Sequence, residues 1–146
     1  MKEIEVSCAI IQRRGLLLIA QRNPGDSYGG FWEFPGGKRD DGESMEACLR
    51  REVHEELGIW VEPREFYGKA RYLYPDRVVL LHFYFCEWVS GEAVCHDCHA
   101  FRWIRPEEMP GFRFLPGDIE VIRDLIVRRA YYWGVNRIFR RKPGLS

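Results

Sequence analysis

Three glutamates crowd one face of a predicted helix, and this crowding is the feature that most constrains the chain. Glu52, Glu55 and Glu56 fall within five residues, and side chains three and four positions apart share a helix face, where like charges repel. They also lie near the predicted carboxyl end of the helix, where its dipole disfavours anions. Such an arrangement becomes favourable around a divalent cation, because clustered carboxylate oxygens suit Mg²⁺ or Mn²⁺.

The helix that carries these glutamates has clear start and stop signals. Ser44 is a good N-cap, and Gly58 predicts that the helix ends at Leu57. An apolar residue at every fourth position predicts the buried stripe: Met45, Leu49, Val53 and Leu57. Because the glutamates lie off this stripe, the helix has one buried face and one charged face.

The residues around this helix resemble the Nudix box, G-x5-E-x7-R-E-U-x-E-E-x-G-U, in which U is an aliphatic residue. Every fixed position of the box is filled, by Gly37, Glu43, Arg51, Glu52, Val53, Glu55, Glu56, Gly58 and Ile59. Residues 32–38, W-E-F-P-G-G-K, resemble the segment that precedes the box in MutT-type nucleotide pyrophosphohydrolases. A weaker resemblance to bacterial MutT-like and CTP-pyrophosphohydrolase-like members extends from Val6 to about Arg128.

The apolar runs between turn residues predict a chain of alternating strands and helices. We predict strands over 5–11, 15–22, 31–34, 61–74, 77–89 and 101–104, a short helical turn at 106–109 and a last helix from 118 to 132. This pattern alone indicates an α/β protein, and the resemblance implies the Nudix α/β/α sandwich, with a mixed β-sheet between helices. We predict a Nudix hydrolase domain over residues 1–133 and a basic, flexible C-terminal tail over 134–146.

The resemblance also implies a hydrolase that cleaves a nucleoside diphosphate linked to another group. The implied metal ligands are the Gly36 carbonyl, Glu52, Glu55 and Glu56. Either Glu52 or Glu56 is also a candidate to orient or deprotonate the attacking water. Arg51 would contact Glu43 and hold the geometry between loop and helix. Mg²⁺, with Mn²⁺ as a possible substitute, would bridge the acids to the substrate phosphates.

Five residues outside the box helix are further candidates for the site. Many MutT-like members carry an acid ahead of the last strand that approaches the metals, and Asp97 matches that position as a candidate general base or ligand. Arg22 and Lys38 match positions that approach the substrate phosphates, and the alternative is that both are solvated surface charges. Phe34 and Asp118 match positions that contact the base.

Asp118 is the residue that bears on base preference. At the matching position, MutT has an asparagine that hydrogen-bonds an oxidised guanine. An ionised carboxylate only accepts hydrogen bonds, whereas an amide also donates them. Asp118 would therefore favour a base edge rich in donors, such as the N4 amino group of cytosine or the N1/N2 edge of guanine. The alternative is that Asp118 only caps the last helix.

Charge and hydropathy narrow the partners. The 22 basic and 22 acidic residues cancel, which argues against polymeric nucleic acid, since its binding proteins usually carry a basic surface. No apolar run is long enough to span a membrane, and the N-terminus shows no signal segment, so we predict a cytoplasmic protein. The expected partner is a small-molecule nucleotide, bound by a monomer or homodimer.

The five cysteines do not form an obvious disulfide framework. Cys8 and Cys86 lie in apolar runs and are predicted to be buried. The segment C-H-D-C-H, residues 95–99, could suggest zinc, but structural zinc sites usually draw on two separated ligand pairs. We therefore predict that Cys95 and Cys98 are reduced and lie in a strand-like segment.

The resemblance leaves four functions open. We predict a MutT-like nucleoside triphosphate pyrophosphohydrolase that acts on 8-oxo-dGTP, dCTP/CTP or a modified nucleotide, releases pyrophosphate and cleanses the nucleotide pool. An ADP-ribose or ADP-sugar pyrophosphatase is the alternative, because Pro75 lies where that branch often carries a proline, although Pro75 also fits a hairpin turn. Diadenosine polyphosphates are a third possibility, since Tyr72 and Tyr74 lie near that branch's tyrosine. A non-catalytic Nudix-fold binding module is the fourth, but such modules typically lose acids of the box, and here all are present.

Overall fold

The protein is built around a mixed β-sheet that lies between helices. The structure is a computed structural model and describes residues 2–133. The strands are β1 (Lys2–Arg13), β2 (Leu16–Gln21), β3 (Trp32–Glu33), β4 (Gly36–Lys38), β5 (Trp60–Tyr74), β6 (Arg77–Ser90) and β7 (Ala100–Ile104). The α-helices are α1 (Met45–Leu57), α2 (Ile119–Val127) and α3 (Arg129–Trp133), and 3₁₀ turns cover Pro106–Gly111 and Pro116–Asp118. The predicted basic tail, residues 134–146, lies outside the described residues, so the proposed domain boundary stays a prediction.

The strand order places β1 at the centre of the sheet. The order is β3-β2-β1-β6-β5, with β4 added to β1 and β7 added to β2. The central pair, β1 and β6, runs parallel from Lys2↔Arg77 to Gln12↔Glu87, and the other described strand pairs are antiparallel. The predicted mixed sheet is therefore confirmed.

Two predicted hairpin turns are present. Arg14 and Gly15 connect β1 to β2 and have positive φ angles of 54° and 79°. Pro75 and Asp76 connect β5 to β6, which pair antiparallel on either side of them. The position of Pro75 is thus explained by the turn it occupies, since proline suits the first central position of a turn.

The sheet separates two hydrophobic clusters, because successive side chains along a strand point to opposite faces. Phe83 of β6 belongs to the cluster that also contains Leu125 of α2. Cys86 of the same strand belongs to the cluster on the other face, with Leu49 and Val53 of α1. Helices therefore cover both faces, which confirms the predicted α/β/α sandwich. Across residues 2–133, no helix is both long and apolar enough to cross a membrane.

Helix α1 begins and ends where the sequence predicts. The Ser44 hydroxyl accepts a hydrogen bond of 3.0 Å from the backbone N–H of Ala47. Gly58 adopts the left-handed conformation that ends the helix, with φ of 72°. Of the predicted apolar stripe, Leu49, Val53 and Leu57 are fully buried, whereas Met45 is only half-buried.

The last predicted helix differs from the expectation. Instead of one helix from Asp118 to Tyr132, a 3₁₀ turn leads into α2, and a break at Arg128 separates α2 from α3. Beyond the break, the Tyr132 side chain is fully buried, and its hydroxyl donates a hydrogen bond of 2.9 Å to the Asp124 carboxylate. The Tyr67 hydroxyl donates to the same carboxylate oxygen. The break thus accompanies a buried polar contact that a helical periodicity does not reveal.

Candidate active site

A pocket of about 420 Å³ lies where β4, α1 and the loop after β2 meet. This volume falls in the range of small-molecule binding sites. The pocket is lined by most of the predicted site residues: Arg22, Phe34, Gly36, Lys38, Glu52, Glu56, Asp97 and Asp118. Two predicted residues, Arg51 and Glu55, lie outside its lining. The predicted candidates are therefore largely brought together, although sequence positions 22 and 118 are far apart.

Strand β4 forms one wall of the pocket and depends on glycine. The sequence indicated only a bend here, but residues 36–38 pair antiparallel with β1, with Gly36 opposite Cys8. Gly36 has φ of 150°, and a Cβ at this position would overlap the backbone carbonyl of Ser7. A Cβ at Gly37 would overlap the Glu52 carboxylate. The two glycines therefore let β4 approach β1 on one side and the helix acid on the other.

Glu56 is the acid of α1 that is most deprived of partners. Its Oε1 atom is buried and has no hydrogen-bond partner among the described residues. Burial raises the pKa of the Glu56 carboxyl well above its ordinary value, and the nearby carboxylates of Glu33 and Glu52 raise it further. A buried, unpaired carboxylate oxygen is costly unless a cation or hydrogen-bond donor meets it. This position therefore fits the donor set of a divalent cation.

Glu52 and Glu55 both contact Arg51, yet only Glu52 faces the pocket. Arg51 Nη1 lies 2.9 Å from Glu52 Oε1 and 3.3 Å from Glu55 Oε2. Burial raises the pKa of Glu52, and its hydrogen bond with Arg51 opposes that shift. The Glu55 side chain is 60% exposed. Across residues 2–133, no three side chains of His, Cys, Asp or Glu are grouped closely enough to form a complete ligand set, so the assignment of all three glutamates to one metal site stays a prediction.

Arg51 ties the helix to the loop that precedes it. Its Nε and Nη2 atoms donate hydrogen bonds of 2.6 and 2.9 Å to the two carboxylate oxygens of Glu43. A third hydrogen bond, of 3.2 Å, reaches the Lys38 carbonyl at the end of β4. The Arg51 guanidinium lowers the pKa of Glu43 to about 2. The contact that the resemblance implied between Arg51 and Glu43 is therefore present, in the bidentate form that favours a fixed geometry.

The two side chains predicted to contact phosphate, Arg22 and Lys38, differ in the protein contacts that they already make. Arg22 Nη1 lies 3.2 Å from Glu33 Oε1, and its Nε donates a hydrogen bond of 2.7 Å to the Ser27 carbonyl. Lys38 is exposed at the pocket and forms no ion pair with another residue of the described chain. Lys38 is therefore available to an anion, whereas Arg22 is already oriented by Glu33.

Other residues also line the pocket, among them Glu33, Tyr74 and Arg77, which were not predicted as site residues. Burial raises the pKa of Glu33, and the Arg22 guanidinium opposes that shift. Tyr74 and Arg77 flank the β5–β6 turn and also line the pocket. Glu33 could have been found as the one acid inside the apolar segment W-E-F-P. No sequence signal places Arg77 in the pocket, because its position depends on how the hairpin packs.

Phe34 and Asp118 are buried residues of the pocket lining. Phe34 is 3% exposed and packs edge-on against Phe83, with 6.1 Å between ring centroids. Asp118 is 4% exposed, and its side chain makes no capping hydrogen bond to α2. Burial raises the pKa of Asp118 well above its ordinary value, the Glu33 carboxylate raises it further, and a hydrogen bond with the Phe34 backbone opposes them. The Asp118 side chain therefore does not cap α2, and burial favours its neutral acid over the ionised form that the sequence suggested.

Asp97 lies on a loop whose predicted conformation is wrong. Residues 96–99 form bends instead of a strand, and Cys95 and Cys98 are joined by a disulfide instead of being reduced. The physical reason is that a neighbouring element satisfies the loop backbone. The N–H groups of His96 and Asp97 donate to the Glu56 carbonyl, at 2.8 and 3.2 Å. By contrast, Cys8 and Cys86 are buried and free, as predicted.

Comparison with known proteins places this fold and pocket in one family. The NUDIX domain matches residues 1–125. The chain belongs to the Nudix family. Over 130 residues it is 36% identical to the CTP pyrophosphohydrolase of Escherichia coli K12, covering 89% of this chain and 96% of that protein. Over 127 residues it is 32% identical to the 8-oxo-dGTP diphosphatase of Haemophilus influenzae, covering 86% of this chain and 93% of that protein.

A solved structure gives the same result. The solution structure of the Escherichia coli ORF135 protein aligns with a TM-score of 0.76 at 35% identity, and covers 90% of this chain and 94% of that one. The chain is therefore a Nudix hydrolase of the MutT/CTP-pyrophosphohydrolase-like branch, and the predicted family, fold and enzyme class are confirmed.

Proposed function

We propose that this Nudix hydrolase converts a nucleoside triphosphate to a nucleoside monophosphate and pyrophosphate, with CTP or dCTP as the preferred substrate. The observation that carries the proposal is one pocket whose lining combines two chemically different sets of residues, which we assign to its two ends. One end holds the acids Glu52 and Glu56, and the other holds the buried Asp118 and Phe34. A triphosphate and a base on one nucleotide would meet these two ends at once.

The acidic end suits a divalent cation. Glu52, Glu55, Glu56 and the Gly36 carbonyl are the proposed ligands, and the unpartnered Oε1 atom of Glu56 supports this assignment. Family membership points the same way, since Nudix enzymes are typically dependent on divalent metals. Mg²⁺ bound there would neutralise phosphate charge and supply an activated water.

The residues around the acids would orient the substrate. The exposed Lys38 is placed to pair with phosphate oxygens, and Arg22, oriented by Glu33, would contact the same chain of phosphates. Asp97 is the proposed general base or additional ligand. Its carboxylate is exposed at the pocket, where its Oδ1 accepts a hydrogen bond of 3.2 Å from the Asn23 side chain. A carboxylate so placed could accept the proton of an attacking water.

The buried end suits cytosine. A neutral carboxylic acid both accepts and donates a hydrogen bond, and burial favours this form of Asp118. Cytosine presents its N4 amino donor beside the N3 acceptor, so one acid group can pair with both. The N1/N2 edge of guanine presents two donors and fits a neutral acid less well. The similarity to a CTP pyrophosphohydrolase over 89% of the chain supports the same choice.

Oxidised guanine is the second candidate base. The N7–H and O6 atoms of 8-oxoguanine also present one donor beside one acceptor, so Asp118 could pair with that edge. The similarity to an 8-oxo-dGTP diphosphatase at 32% identity favours including it. The two candidates share one reaction and differ only in the base that the buried end accepts.

A substrate panel with Mg²⁺ tests the proposal. CTP, dCTP, GTP, 8-oxo-dGTP and ADP-ribose would be compared by kcat/KM, and ³¹P NMR would identify the products. We expect pyrophosphate and the monophosphate from a triphosphate, and the highest kcat/KM with a cytidine nucleotide. A preference for 8-oxo-dGTP would refute the cytosine assignment. Cleavage of ADP-ribose alone, or of nothing in the panel, would refute the triphosphate reaction itself.

A further inference from the structure

We propose that the Cys95–Cys98 disulfide holds Asp97 at the pocket, so that reduction of this disulfide slows the reaction. The inference rests on the proposed function, because it assigns Cys95 and Cys98 as positioning residues for an acid of that site. It adds a covalent constraint that the box acids do not supply.

The loop between the two cysteines is fastened to the end of the helix that carries the acids. His96 and Asp97 both donate their backbone N–H to the Glu56 carbonyl. Just before the disulfide, the backbone N–H of Val94 donates a hydrogen bond of 2.9 Å to the Leu57 carbonyl. These bonds satisfy carbonyls that the end of a helix leaves without partners. The loop therefore caps α1 one turn beyond Glu52, and its geometry bears directly on Glu56.

The other side of the loop is fastened to the sheet and to the phosphate side of the pocket. The backbone N–H of His99 donates a hydrogen bond of 2.9 Å to the Gln21 carbonyl at the end of β2. The Asp97 carboxylate accepts its hydrogen bond from Asn23, which lies next to Arg22. Asp97 thus spans the gap between α1 and β2. The disulfide joins the residues two before and one after Asp97, which restricts how far its backbone can move.

The disulfide is partly accessible to a reductant. Cys95 and Cys98 are both half-buried and pack against the α1-side cluster instead of lying within it. A C-x-x-C pair of this kind is well suited to thiol–disulfide exchange, which needs access to one sulfur. The three other cysteines, at positions 8, 48 and 86, are buried and free. The described cysteines therefore include one pair that a reagent can open.

An added dithiol supplies the electrons and protons that reduce the Cys95–Cys98 disulfide. A thiolate of dithiothreitol attacks one sulfur of the Cys95–Cys98 bond and forms a mixed disulfide, and the released sulfur takes up a proton. The second thiol of the reagent then displaces the remaining protein sulfur. Two protein thiols and one cyclic disulfide result, so two electrons and two protons pass from reagent to protein.

The test compares oxidised and reduced enzyme by kinetics and by amide exchange. With the triphosphate that the panel ranks first, reduction is expected to lower kcat by about tenfold or more, since small misplacements of catalytic groups have large effects, while KM changes less than about threefold. Deuterium exchange of the His96 and Asp97 amides, which donate to Glu56, is expected to quicken. Alkylation under denaturing conditions should count three thiols before reduction and five after it.

Variants separate the proposed route from a general effect of reductant. The double variant Cys95→Ser/Cys98→Ser is expected to resemble reduced enzyme and to ignore dithiothreitol. Asp97→Asn is expected to have a low kcat that reduction barely changes, because the acid that the disulfide positions is already lost. Cys86→Ala, in the buried core of β6, is the matched control and should keep the full response to reductant.

The outcomes distinguish this inference from the proposed function. An active enzyme whose kcat is the same with and without the disulfide would overturn the inference and leave the function standing. Five thiols in unreduced protein would also overturn it. If neither form hydrolyses any nucleotide in the panel, the proposed function fails, and with it the inference that rests on it, even where amide exchange still responds to reduction.

Discussion

Replacing Gly37 by alanine tests whether the contact between β4 and the helix acid matters for the reaction. The added Cβ would lie 2.9 Å from Glu52 Cγ and nearer still to the carboxylate, whereas ordinary van der Waals contact begins at 3.4 Å. Glu52 must therefore retreat by about 0.5 Å at Cγ, the difference between 3.4 and 2.9 Å, and by more at the carboxylate. Since a misplacement of about 1 Å costs roughly 10²-fold in rate, we expect kcat/KM to fall by about 10- to 100-fold, equivalent to about 1.4–2.7 kcal/mol.

The same substitution should have little effect on stability. Gly37 has no positive φ, and the group that must move is the far end of a flexible, partly exposed side chain. A glycine-to-alanine change at a compatible position can even stabilise by about 0.4–1 kcal/mol through the unfolded state. Gly111→Ala is the control, because Gly111 is exposed and its Cβ would meet no atom within 4 Å. Pyrophosphate release and thermal unfolding of both variants are the assays. Equal kcat/KM in the two variants, or unfolding of Gly37→Ala alone, would refute the reasoning.

Three further predictions follow from the site. Glu55→Gln is expected to lower kcat by about 10²-fold or more with an unchanged unfolding temperature, because its side chain is 60% exposed; near-normal turnover would remove Glu55 from the metal site. Removal of divalent ions with EDTA should stop pyrophosphate release, and Mg²⁺ should restore it; turnover that persists in EDTA would contradict the metal assignment. Asp118→Asn should change the ranking among bases more than the rate on the best one, and should become more stable than wild type as pH rises. In the folded protein, burial and then the Glu33 carboxylate raise the pKa of Asp118 above its ordinary value of 3.8. The stability that Asp118 contributes to the wild-type protein is therefore fully present below pH 3.8 and is lost as pH climbs through the raised pKa. The asparagine of the variant does not titrate, so the variant does not show this loss. Unfolding temperatures at about pH 4 and pH 8 measure this, and a constant difference between the two proteins would count against a buried, titrating Asp118.

Local chemistry made some of this structure predictable. Helix α1 could be bounded by sequence alone, because the Ser44 cap and the Gly58 stop act within one turn of their own position. The Nudix box likewise lies within one short segment, so its residues and their spacing can be recognised directly in the sequence. Asp118 is different, because its burial depends on elements more than thirty residues away, and the sequence could not distinguish a cap from a pocket acid.

The cysteine loop was mispredicted for a related reason. The apolar and polar residues of segment 95–99 resemble a strand when taken alone. In the structure, the Glu56 carbonyl at the end of α1 accepts the two backbone donors that a strand would have given to a neighbour. With those donors satisfied, the chain can bend enough for Cys95 and Cys98 to meet. A contact between segments forty residues apart therefore decided the local conformation.

The pocket lining is supplied by several separate stretches of the chain. The acids Glu52 and Glu56 come from α1, whereas Tyr74, Arg77 and Asp118 come from the β5–β6 hairpin and the turn before α2. Under the proposed function, exchanges at these later positions would change which nucleobase is accepted while α1 keeps its geometry. Such a division would let one scaffold diversify across many nucleotides during evolution while it keeps one reaction.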